Sequence, residues 1–129
     1  MTTILVDHNV EGHAQLLLGT LAAAGWLELT PIRLIRFPEA GLALDASDRD
    51  VWRLAQGWLL LTDNRNMTGE GSLEQTIRDE NTTMSYPVVT ISRADRIIHK
   101  PYRERCAIRL VEIILDLDRL HGAGRLYLP

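Results

Sequence analysis

Thr3-Ile4-Leu5-Val6-Asp7-His8-Asn9 decides how this chain is read. An apolar, β-branched run stops abruptly at three polar residues. Such a continuous run fits a strand buried on both faces, as in a parallel sheet, rather than one with a wet side. Asp7, His8 and Asn9 then open the loop at the strand's carboxyl end. The pattern recurs where Leu59-Leu60-Leu61 meets Thr62-Asp63-Asn64-Arg65-Asn66, and Pro87-Val88-Val89-Thr90-Ile91 is a third buried strand.

Helices are expected between these strands. Leucine and alanine recur at helical spacing from Glu11 to Ala24, and Gly25 stops them. Ser47 caps a helix running to about Gln56, with Asp48 and Asp50 in its first turn. Ser72-Leu73-Glu74-Gln75 is a capping box opening a helix to about Glu80. Tyr102 to Leu120 is the longest helix, with an apolar stripe expected at Ile108, Val111 and Leu115 and a flank at Ile114. Leu27 to Phe37, which holds Pro31, is expected to be a strand or a bent pair of strands. Pro38 to Ala46 is a loop, and Arg125 to Leu128 a short final strand. This alternation implies a three-layer α/β/α fold with a mostly parallel sheet, formed by one domain over residues 1–129.

Composition narrows the function classes. Apolar residues make up 46% of the 129, and charged residues 24%, a mixture that builds a globular core. No apolar run approaches the roughly 20 residues needed to span a bilayer. Met1-Thr2-Thr3 lacks the basic start of a signal peptide, so a cytoplasmic location is expected. Cys106 is the single cysteine, which excludes an internal disulfide. The net charge of −3 argues against a protein that coats nucleic acid. Lys100 is the single lysine, and arginine supplies every other basic side chain. Codon usage in a GC-rich genome explains that bias most simply. A local phosphate site is the functional alternative, because the guanidinium fork matches phosphate.

Ligands of open parallel sheets bind beyond the carboxyl ends of the strands, where helices also start. Asp7, Asp48 and the Asp63–Asn64 loop should therefore meet in one pocket. Oxygen ligands of this kind suit magnesium or manganese. Each residue also has a plain structural role: Asp7, Asp63 and Asn64 suit turns, and Asp48 suits a helix start.

Three segments together resemble the PIN-like domain family, of the short bacterial type found beside toxin–antitoxin modules. They are Ile4-Leu5-Val6-Asp7-His8-Asn9, Ser47-Asp48 followed by Val51-Trp52-Arg53-Leu54-Ala55, and Leu60-Leu61-Thr62-Asp63-Asn64-Arg65-Asn66-Met67. The resemblance covers roughly Ile4 to Ile91. It implies a Mg2+- or Mn2+-dependent endoribonuclease. Asp7, Asp48 and Asp63 would be the catalytic and metal-holding acids, and Asn9, Asn64, Arg65 and Asn66 would meet the RNA substrate. It further implies an antitoxin-like partner protein, and the longest helix offers surface for a homodimer. The chain departs from the family where Asn64 and Asn66 stand at acidic positions and Asp63 is one place out of register. A degenerate domain that binds RNA or protein without cutting is the alternative. An unrelated α/β interaction subunit is the third reading.

Overall fold

In a computed structural model, residues 1–65, 69 and 71–129 are described. Five strands form one sheet: β1 (Thr2–Val6), β2 (Ile32–Arg36), β3 (Leu59–Thr62), β4 (Val88–Ile91) and β5 (Arg125–Leu128). Every neighbouring pair is parallel, in the order β2-β1-β3-β4-β5. The connections carry α1 (Glu11–Ala23), α2 (Trp26–Leu29), α3 (Asp48–Leu54), α4 (Leu73–Glu80), α5 (Lys100–Leu115) and α6 (Leu117–Leu120).

Strand side chains alternate between the two faces, so each short apolar run feeds two cores at once. Ile4, Val6, Leu59, Leu61, Val89 and Ile91 pack with residues of α1 and α5. Leu5, Leu60 and Val88 point the other way, toward Val51 and Trp52 of α3 and Leu73 and Ile77 of α4. The result is the three-layer α/β/α arrangement, with its sheet wholly parallel. No helix among the described residues is long and apolar enough to cross a membrane.

Both predicted caps form. Ser47 Oγ accepts from the Asp50 N–H, and Ser72 Oγ from the Gln75 N–H, each at 3.1 Å. Elsewhere the chain departs from its sequence reading. The stretch expected to be extended from Leu27 begins instead as α2, with strand structure only from Ile32. Gly25, at φ 82°, redirects the chain into this extra turn. Pro31 then ends it, because the residue before a proline is driven out of helical geometry, as Thr30 is at φ −129°.

The long C-terminal helix is also placed differently. It starts at Lys100 and breaks at Asp116, which leaves helical geometry at φ −108° and ψ 15°. Its buried stripe is Tyr102, Cys106, Ala107, Leu110, Val111 and Ile113. Ile108 and Leu115 are exposed, and Ile114 is half-buried. Of the expected stripe, only Val111 lies in the core, and the buried face is centred about 130° of helical rotation from where the pattern put it. Cys106 is packing: burial pushes its thiol up to about 11, leaving it protonated and inert at neutral pH.

Candidate functional site

The strand order turns back between β1 and β3, which leaves a crevice beyond their carboxyl ends. A cleft of about 310 Å³ lies there. Asp7, His8, Asn9, Asp48, Asp63 and Asn64 line it among apolar neighbours. Each side chain arrives by a different route. Asp7 is the first residue after β1, Asp48 the first of α3, and Asp63 and Asn64 the first two after β3.

Neutral donors hold the acids in place. Thr62 Oγ1 donates to Asp7 Oδ2 at 2.7 Å, and the Asn9 N–H donates to Asp7 Oδ1 at 3.3 Å. Asp48 Oδ2 accepts from the Leu73 N–H at 3.0 Å and from Asn64 Nδ2 at 3.2 Å. The Asn64 N–H in turn donates to Thr62 Oγ1 at 3.0 Å. One fully buried threonine thus ties the β3 loop to the first acid, while Asp48 ties that loop to α3 and α4.

A second anchor comes from the far edge of the sheet. Arg125 opens β5 with its side chain only 6% exposed. Its Nη1 donates to the Asn64 carbonyl oxygen at 2.6 Å and to buried Thr90 Oγ1 at 2.7 Å. Its Nη2 meets Glu74 Oε2 of α4 at 3.1 Å. A buried guanidinium is tolerable only with such partners. Together, Asp7, Thr62, Asn64, Arg125 and Glu74 form one polar chain beneath α4.

Among the described residues, neither Asp7 nor Asp48 is paired with an arginine or lysine. The one imidazole near them is His8, with Nδ1 3.5 Å from Asp7 Oδ1. Asp63, half-buried, makes no hydrogen bond or ion pair among the described residues. The cleft therefore gathers carboxylates that no arginine or lysine among the described residues neutralises. Such a donor set fits a hard divalent cation, which takes carboxylate, amide and water oxygens. No three His, Cys, Asp or Glu side chains among the described residues are already gathered as a metal cage. Any ion here would be held by two carboxylates, amide oxygens and water.

Of the residues singled out from sequence, Asp7, Asn9, Asp48, Asp63 and Asn64 share the cleft. Arg65 is exposed and is not part of its lining. Asn66 lies outside the described residues. Sequence reading gave no role to Thr62 or Arg125. Thr62 does leave a trace, as the one hydroxyl inside a strand of leucines. Arg125 leaves none, since an arginine opening an outer strand is ordinarily solvated. Comparison with family models, with characterised proteins and with solved structures gave no match to this chain.

Proposed function

We propose that the chain is a metal-dependent ribonuclease of PIN-like type. The observation that supports this best is the meeting of Asp7, Asp48 and Asp63 in one cleft, with no arginine or lysine among the described residues paired with Asp7 or Asp48. Asp7 and Asp48 would hold a magnesium or manganese ion, with Asp63 or an amide oxygen of Asn64 beside it. Such an ion lowers the pKa of bound water and offsets charge developing on a phosphoryl group. The chain's own part is positional. Thr62 and the Asn9 N–H fix Asp7 in one rotamer, and the Leu73 N–H fixes Asp48. Preorganised ligands lose little freedom when an ion arrives.

The test is a calorimetric titration with manganese, run beside a cleavage assay on single-stranded RNA. Wild type should bind manganese weakly, because the site has few charged ligands, and should cut only when the metal is present. Asp7→Asn should lose both properties. Equal heats from the two proteins would remove Asp7 from the site, and cutting that persists in EDTA would end the metal-dependent reading.

One contact favours a second reading, a binding module that keeps the pocket without the chemistry. Asn64 Nδ2 occupies Asp48 Oδ2, an oxygen a cation would otherwise use. RNA binding without cutting, in wild type at saturating manganese, would select it.

A further inference from the structure

Three hollows along the carboxyl edge of the sheet share their walls. His8 and Asn9 line the acidic cleft and also a neighbouring hollow of about 340 Å³, which is closed further on by Ala94, Asp95 and Ile98. Asp95 in turn belongs to a third hollow of about 550 Å³, lined by Arg93, Arg96, His99, Tyr102 and Arg105. The three hollows thus stand side by side from the carboxylates, past the start of α1, to a pocket of arginines where α5 begins, and together they make a stepped trough.

The charge of this segment opposes that of the whole chain. Between Arg93 and Arg109 stand Arg93, Arg96, Lys100, Arg103, Arg105 and Arg109, against Asp95 and Glu104, in a protein of net charge −3. Several of these cations are already engaged. Arg93 holds Asp95 at 3.0 Å, and Arg103 binds the carbonyls of Ile97 and Ile98. Arg96 and Arg105 are exposed and form no ion pair among the described residues. The Arg105 guanidinium lies 5.5 Å from the centre of the Tyr102 ring, which limits its wandering. The first turn of α5 has no acidic residue, and its N-cap His99 makes no side-chain capping bond. The positive end of the helix dipole thus adds to the arginines rather than being cancelled.

An acidic cleft has a difficulty as an RNA site, since Asp7, Asp48 and Asp63 repel the phosphates they would act on. A strand needs cationic purchase away from the reacting position. We propose that the Arg96–Arg105 pocket grips the phosphodiester backbone of an RNA strand, which then follows the trough into the cleft. The proposal rests on the ribonuclease reading for its substrate and adds where that substrate is held. Glu11 and Asp95 also stand along the trough, so the grip lies at its arginine end and not along its whole length.

The experiment is fluorescence anisotropy with a labelled single-stranded RNA in EDTA, where no cutting occurs. It compares wild type, Arg96→Gln/Arg105→Gln, and Arg78→Gln as a control on exposed α4 surface. The double variant should bind about tenfold more weakly, and its slope of log affinity against log salt should shrink by about 0.7 per arginine. The control should match wild type. Thermal melts establish folding, and Arg96→Gln alone carries the test should the double variant unfold. No RNA binding by wild type, unchanged binding by the double variant, or an equal loss in the control would each overturn the proposal. So would a polyaspartate competitor that displaces the RNA as well as unlabelled RNA does. Cleavage with manganese separates the two readings. Wild type that binds through Arg96 and Arg105 yet never cuts upholds this site and ends the nuclease reading. Cutting with an unchanged KM in the double variant does the reverse.

Discussion

Thr62 carries more of the site than its size suggests, because its one hydroxyl both donates to Asp7 and accepts from the Asn64 N–H. Thr62→Val keeps the shape and deletes both bonds, one of them to a charged carboxylate. Urea unfolding should show a loss of about 1–3 kcal/mol, and manganese binding should weaken because Asp7 is no longer held. An unchanged midpoint would mean that water replaces the hydroxyl without cost. Asn64 gives the complementary test. Asn64→Asp sets a second carboxylate against Asp48, where the amide now sits 3.2 Å away. Like charges at that range repel unless a proton or a cation intervenes. The variant should therefore melt below wild type in EDTA and gain more from manganese than wild type does. Equal gains would place the ion away from Asn64. At this scale the sequence was legible only in part. Asp7 and Asp48 could be found because each begins a loop or helix at a predictable edge. Arg125 could not, and Thr62 left only its lone hydroxyl among leucines, because their roles depend on strand order, which no local pattern encodes.

Among the elements, those whose pattern is short and strict came through best. The apolar runs of β1, β3 and β4, the capping serines of α3 and α4, and β5 all lie where their residues suggest. α5 shows why a longer amphipathic pattern is harder to phase. Isoleucine, leucine and valine sit on nearly every side of it, so apolar spacing alone allowed two stripes. Packing chose the one holding Cys106, Leu110 and Ile113, since small Ala107 lets the helix approach the sheet and α1. Ile113 is fully buried, so Ile113→Ala should cost about 2–5 kcal/mol. Ile108 is 53% exposed, and Ile108→Ser should stay within about 0.5 kcal/mol of wild type. Chemical denaturation of both variants checks the phase. A larger loss at Ile108 would rotate the helix back toward its sequence reading.

Both faces of the sheet are packed by apolar cores, and on the α3–α4 face ion pairs are added to that packing. Arg49 reaches Asp79 and Glu80, and Arg53 also reaches Glu80, so charged bonds clamp α3 to α4. The Arg49 hydrogen bond holds the Asp79 carboxyl below its usual range, and the Arg53 bond does the same for Glu80. Carboxyl groups depressed in the folded state stabilise it above their unfolded values, near 3.8 and 4.5, and that contribution is lost as pH falls through the folded ones. Melting temperature should thus hold steady down to about pH 4.5 and then fall, and the fall should be shallower in Arg49→Gln. Parallel profiles would show that the clamp contributes nothing to acid sensitivity. Arg125 has a consequence in time. It fastens the Asn64 carbonyl from 61 residues further along the chain, so the loop beside the acids is made long before its anchor. At ordinary rates of synthesis the ribosome takes about 3–12 s to cover that interval. A growing chain therefore has Asp7, Asp48 and Asp63 in hand before the arginine that fastens the neighbouring loop has been made, and that last brace closes only once β5 has emerged.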